Sequence, residues 1–335
     1  MRDDPGLRRQ LAIGSAGGTI SMTPGLDGGL DATLTAQDMV TAIPELADSN
    51  YVSVTTLSVK PGASVHAEDV MRYLRWADQA VGDGADGVVL THGTDTLEET
   101  AYLLDLYWDK PQPLVVTGAM RAPGARGADG PGNVSAASRV ALSASARDLG
   151  VLVVMNDEIH AARRVSKLHT NSLAAFGSPN GGPLGRLDEG AVRLFQRPTR
   201  RPSLPAGPQD WTVPVLLTEA VLGDDGAWLD LLPEDFSGGL IVSAFGVGHV
   251  SAAMAPKLIA AAARIPVVLS SRTGAGTVHR RTYGFPGSER DLLDHNLISA
   301  GYLSPVKARL LLWAALAGGS DTQFVSRLFR EHGTP

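Results

Sequence analysis

The sequence predicts an α/β protein of two domains: a larger N-terminal domain on a mostly parallel sheet with flanking helices, and a smaller C-terminal α/β domain. Three observations carry this prediction. Short β-rich runs alternate with helical stretches through residues 1–195, the rhythm of a parallel sheet. That rhythm breaks over residues 196–212 and restarts over 213–335. The chain has 335 residues, enough for two domains of roughly 150 each.

In chain order, Leu11–Ile13, Val52–Val59, Gly87–Leu90, Leu114–Val116 and Val151–Met155 are apolar enough for strands. Helices are expected over Ala67–Val81, Leu97–Asp109 and Gly132–Arg147. In the first, Val70, Tyr73, Leu74 and Ala77 recur at three and four, giving one face to the sheet. Pro131 precedes the third, where a missing N–H costs little. Between Gln196 and Pro208 four prolines interleave with Arg197, Arg200 and Arg201, and no apolar period survives. A solvated linker explains this better than an anion patch. Beyond it, Val213–Leu217, Leu240–Ala244 and Pro266–Ser270 are strand candidates, each followed by helix-like sequence.

Composition excludes several functions. Lys and Arg total 29 against 35 Asp and Glu, a net charge of -6, so nucleic acid is not an expected partner. The chain has no cysteine, which removes disulfides, a thiolate nucleophile and cysteine-ligated metal. No histidines show H-x-x-x-H spacing, so neither a metal nor another cofactor is expected. No apolar run approaches the roughly 18 residues of a membrane span. Met1–Pro5 carries acids and precedes no signal-like apolar region, an expectation of a cytoplasmic protein.

Three loops after strand candidates are placed for chemistry, because ligands gather at the carboxyl ends of parallel strands. Gly14–Ser21 holds adjacent glycines, Gly17 and Gly18, and matches neither a dinucleotide nor a P-loop pattern. Thr91–Thr100 ends a strand in His92, Gly93, Thr94 and Asp95, with Asp95 or Thr96 as a helix N-cap and Glu98 and Glu99 in the first turn. Capping explains Gly93 and Thr94 poorly, since a hydroxyl there is well placed to face a ligand. Val165–Asn171 sets Lys167 among hydroxyls, either a surface charge or, once desolvated, a base. His92 fits packing or catalysis equally.

Together with Thr117–Arg121, Ala128–Asn133, Gly182–Gly185, Ser270–Gly276 and Gly301–Arg309, these loops resemble the bacterial L-asparaginase/glutaminase family from end to end. The resemblance implies the two-domain asparaginase-like fold and a homo-oligomer, dimer or tetramer, with active sites at subunit contacts. It implies amidohydrolase chemistry on a small amide or related acyl substrate, through a threonine acyl-enzyme and without a cofactor. Thr94, Asp95 and Lys167 fall on the family's second threonine, aspartate and lysine. They would relay protons and bind a substrate ammonium, with backbone N–H groups stabilising the oxyanion. Gly17, Gly62, Ala63, Ser64, Gly93 and Ala119 would complete the substrate pocket.

The departures are as informative. The family motif Thr-Gly-Gly-Thr-Ile stands here as Ala16-Gly17-Gly18-Thr19-Ile20, so a methyl group occupies the nucleophile's position. Alanine cannot form an acyl ester, and this chain is expected to be nearly inactive. An engineered threonine-to-alanine change explains the retained Thr94, Asp95 and Lys167 in one step. A natural pseudoenzyme, or attack by Ser15 or Thr19, are the alternatives. Ser21–Asn50, where the family carries a lid tyrosine, has no tyrosine. Gly62-Ala63 replaces a polar pair that holds the α-carboxylate, with Ser64 and His66 close by. The expected substrate is therefore bulkier than asparagine or differently decorated, an ester or lactone being the alternative to an amide. Glu289 and Tyr283 lie in the segment from which the family's neighbouring subunit supplies an acidic residue.

Overall fold

The computed structural model describes residues 9–25, 29–47, 51–204 and 207–334. Met1–Pro5, on which the expectation of a cytoplasmic protein rests, lie outside these, as do 26–28 and 48–50 of the expected lid segment. The chain forms two compact units, residues 1–203 and 204–335.

In the first unit the apolar runs become β1 (Leu11–Ser15), β4 (Val52–Thr56), β5 (Gly87–Thr91), β6 (Leu114–Thr117) and β7 (Val151–Met155); β2 (Met22–Pro24) and β3 (Leu30–Ala32) make a separate antiparallel pair. Every residue of β1, β5, β6 and β7 is buried, as expected of strands covered on both faces. They lie parallel in the order β4-β1-β5-β6-β7, so their carboxyl ends share one edge. At that edge β4 stops at Thr56, earlier than the expected Val59, because Leu57 and Ser58 donate their N–H groups to Ser15 O and leave the ladder.

The sheet then turns antiparallel. Asn156 and Asp157 both adopt positive φ, 51° and 62°, and fold β8 (Glu158–Ala161) back on β7. Two consecutive left-handed residues match the right-handed twist of a tight hairpin. After the short pair β9 (Ser166–Lys167) and β10 (Phe176–Gly177), β11 (Gly185–Asp188) and β12 (Ala191–Leu194) complete an eight-stranded sheet. The mostly parallel sheet expected from the sequence is thus present with an antiparallel flank.

Five α-helices belong to this unit's described part: α1 (Ala36–Thr41), α2 (Pro44–Ala47), α3 (Ala67–Gly82), α4 (Leu97–Tyr107) and α5 (Gly130–Ala141). On one sheet face α5 buries Val134, Ala137 and Val140 with Ile13, Val89, Val115 and Leu152. Small residues let it approach closely: a Cβ on Gly87 would lie 2.1 Å from Ala141 O. Two helices end before their expected limits. Trp108 is already extended ahead of Lys110-Pro111, and the residue before a proline avoids helical geometry. Beyond Ala141 a 3-10 turn, Ala144–Ala146, replaces the rest of the third helix.

The second unit has a four-stranded parallel sheet in the order β13 (Val215–Glu219), β14 (Gly239–Ala244), β15 (Val267–Ser271), β16 (Ile298–Ser299). Its helices are α6 (Ala255–Ala262), α7 (Glu289–Asp294), α8 (Pro305–Ala317) and α9 (Thr322–His332). Leu240, Val242, Leu258, Val267, Leu269 and Leu292 form its apolar core. In the joining segment Arg197 and Arg200 donate to backbone carbonyls at Arg147 and Lys110.

Candidate active site

Three loops leave the shared edge of β1, β4 and β5 and meet backbone to backbone. Gly17 and Gly18 have φ of 84° and 87°, open to glycine at little cost. A Cβ on Gly18 would stand 2.2 Å from Gly93 Cα, and one on Gly93 would stand 2.8 Å from Gly62 Cα. Thr96 Oγ1 donates to Gly62 O at 2.7 Å and ties the loop after β4 to the start of α4. Thr96 is indeed the N-cap of α4, but its hydroxyl serves Gly62 and makes no side-chain cap.

Lys167 reaches this junction from β9. Its backbone N–H donates to Glu98 Oε1 at 3.1 Å, and Phe176 pairs with it across the short ladder. Its Nζ donates to Thr94 Oγ1 at 3.0 Å and to Asp95 Oδ1 at 2.9 Å. Because Thr94 Oγ1 accepts from the ammonium, its own hydrogen remains available to a third group. Thr94 is 6% exposed, whereas the Asp95 side chain is 65% exposed. The hydroxyl is therefore largely dry while the carboxylate is open to a ligand.

Ala16 is buried directly after β1, and its N–H donates to Thr91 O at 2.8 Å, three residues before Thr94. Gly62 is buried, while Ala63 and Ser64 are exposed in a single 3-10 turn, Gly62–Ser64. A side chain at position 62 would press on the Gly93 carbonyl at 3.2 Å, so the close loop contact itself leaves room for glycine there. Ala119 is fully buried, its methyl group in the apolar cluster with Ile20 and Val134. Ser15 lies on the same face of β1 as the core residues Leu11 and Ile13, and its hydroxyl is buried and without a partner beside the similarly placed Thr91. Ser15 is therefore turned toward the core of the sheet.

His92 belongs to the interior. Its Nδ1–H donates to Gly93 O at 2.8 Å, leaving Nε2 to accept from Thr100 Oγ1 at 3.2 Å. Burial lowers its pKa to about 4, so the ring stays neutral and packs edge-on to Tyr73. Its place is structural.

Several positioning residues escape sequence reasoning. Asp129 accepts from the N–H groups of Met120 and Arg121 and from Asn133 Nδ2, and Asn133 also donates to Gly118 O. Two of the quoted motifs are thereby locked to each other. Glu98, which capping had explained, fixes the Lys167 backbone. Beside the Gly62 turn, burial opposes the charge of Asp69, but hydrogen bonds from Lys60 and the His66 N–H outweigh it and hold the carboxyl below its ordinary range.

In the second unit Glu289 accepts from the N–H groups of Thr282 and Tyr283 at 2.9 and 3.0 Å and from His249 Nε2 at 3.1 Å. Burial works against its charge, yet these donors lower its pKa. Tyr283 and Phe285 flank the His249 ring at 4.8 and 5.0 Å. Nothing in local spacing links His249 to Glu289, forty residues on. Among the described residues no group of three or more His, Asp or Glu could hold a metal ion, and no helix is long and apolar enough to cross a membrane.

Comparison with known proteins supplies the wider context. The family model described as Asparaginase, N-terminal matches residues 10–200, and the Glutaminase/Asparaginase C-terminal domain matches residues 214–329. A probable L-asparaginase of Deinococcus radiodurans is 37% identical, over 98% of this chain and 99% of its own length. L-asparaginase 2 of Escherichia coli is 32% identical, over 96% and 93%. The crystal structure of a probable cytoplasmic L-asparaginase from Campylobacter jejuni superimposes with a TM-score of 0.82 at 30% identity, covering 96% of this chain and 99% of that one.

Proposed function

The chain belongs to the asparaginase/glutaminase family, and from that premise we propose that its N-terminal site is an acyl-transfer pocket for a small amide, lacking the attacking oxygen at Ala16. One observation supports this most directly: Lys167 Nζ contacts both Thr94 Oγ1 and Asp95 Oδ1 beside the Gly17-Gly18 turn. A positioned lysine, a dry hydroxyl and an open carboxylate together make a proton relay next to a place for a substrate ammonium.

With a threonine hydroxyl in place of the methyl of Ala16, the reaction proceeds as two displacements. The hydroxyl oxygen attacks the amide carbon, its proton passing by way of Thr94 and Lys167 to the departing nitrogen. The C–N bond breaks, ammonia leaves and an ester remains. Water then attacks that ester, releasing the acid and restoring the hydroxyl. Backbone N–H groups of the glycine loops supply the oxyanion contacts.

Substrate preference follows from the loop after β4. Gly62 and Ala63 offer no polar side chain to an α-carboxylate, and the exposed Ser64 is the nearest hydroxyl in that turn. The pocket suits an amide bulkier or differently decorated than asparagine. As in the family, the working form is a homo-oligomer, dimer or tetramer, with Glu289 and Tyr283 in the segment from which the family's neighbouring subunit supplies an acidic residue. Cytoplasmic location is the corresponding expectation; one relative is a probable cytoplasmic L-asparaginase and another a probable periplasmic one.

Ala16 itself favours a second reading, a ligand-binding protein without turnover. Ala16→Thr separates the two. Ammonia release from asparagine, glutamine or a panel of small amides, with kcat raised by about three orders of magnitude or more, supports the hydrolase. Acid release without ammonia assigns an ester or lactone substrate. Silence on every amide and ester leaves the binder.

A further inference from the structure

A cleft of about 720 Å³ lies within the second unit, between the end of α6, the end of α7, β16 and one face of α9. Its charged lining is one-sided: Arg264, Arg280 and Arg330 enter it, and no aspartate or glutamate does, although the chain as a whole is acidic. Thr322, Ser326 and Arg330 recur every four residues, so α9 turns two hydroxyls and a guanidinium along one stripe toward the cleft. Asn296 adds an amide from beyond α7.

Two of the three arginines are not committed elsewhere. Arg264 Nη1 donates to a backbone carbonyl, that of Glu234, and neither Arg280 nor Arg330 has an ion pair or hydrogen bond among the described residues. Two carboxylates at the ends of the flanking helices are engaged: Asp321 accepts from Phe324 N as the N-cap of α9, and Asp294 stands 3.8 Å from Arg290. Like charges facing a shared space repel until an anion neutralises them, and the guanidinium fork matches phosphate and carboxylate oxygens in pairs. The volume falls in the roughly 300–1,000 Å³ range of small-molecule sites.

We infer that this cleft binds a small multivalent anion, bearing phosphate or several carboxylates, through Arg280 and Arg330 with Thr322 and Ser326 as neutral donors. The site is separate from the acyl-transfer reading and stands without it.

Isothermal titration at fixed ionic strength tests the inference, with pyrophosphate, ADP and citrate as probes and chloride as the control. Saturable binding of one probe per chain is expected, weakened at least tenfold by Arg280→Gln/Arg330→Gln. Ser326→Asp, which sets a carboxylate on the cleft face of α9, provides an independent variant with the same expected loss, and circular dichroism checks the fold of each. Preference for pyrophosphate and ADP identifies phosphate as the recognised group; preference for citrate identifies carboxylates. No binding beyond the chloride control, or unchanged binding by folded variants, overturns it.

Discussion

Gly18 and Gly93 are held so close that a single methyl group on Gly18 would fall 2.2 Å from the Gly93 Cα. The contact sets the distance between the loop that carries Ala16 and the loop that carries Thr94 and Asp95. Gly18→Ala therefore meets two penalties, a backbone clash and a φ of 87° that side chains disfavour. A loss of at least about 2 kcal/mol in urea unfolding is expected. A variant as stable as the parent chain would show that the loops separate freely.

Lys167 is expected to matter for chemistry more than for binding. In the Ala16→Thr background, Lys167→Met should lower kcat by about two to four orders of magnitude while KM stays within roughly threefold. Pre-steady-state acylation is the informative measurement. Equal losses in affinity and rate would remove the relay and leave Lys167 as a binding contact.

Local patterns in the sequence carried the elements, and contacts between distant residues were hidden. Val88–Leu90 and Val151–Val154 are apolar without alternation, and burial on both faces of the sheet is why. Asn156-Asp157 was a legible turn signal, yet the strand after it contains Glu158 and His160 and lacks an apolar run, so the antiparallel flank went unseen. The glycine, threonine and lysine loops were each visible for their composition. Their convergence rested on family resemblance, because Lys167 meets Asp95 across 72 residues and Thr96 meets Gly62 across 34. Thr96 also shows how a local rule misdirects: a hydroxyl in the N-cap position satisfies a remote carbonyl.

Asp95 should discriminate ligands by charge. One of its oxygens accepts from Lys167, and the exposed remainder is open to a cation. In the chain as it stands, in which Ala16 is proposed to prevent turnover, Asp95→Asn should weaken asparagine about tenfold or more. Succinamate, which lacks the ammonium, should bind almost as before. Calorimetry with both ligands decides the matter, since an even loss would take ammonium recognition away from Asp95.

His92 links the same loop to the pH dependence of stability. Its pKa is about 4 in the folded chain because burial disfavours the imidazolium, against an ordinary value of 6.5. Between those values the unfolded chain binds a proton that the folded chain refuses. The stability associated with this group is complete above pH 6.5 and declines as pH falls toward 4, by at most about 3 kcal/mol. His92→Gln retains an amide that can donate to Gly93 O and removes the titration. The stability gap between parent and variant, measured by urea unfolding, should therefore narrow from pH 7 to pH 4.5. A gap that stays constant over that range would mean that His92 takes up its proton without opening the core.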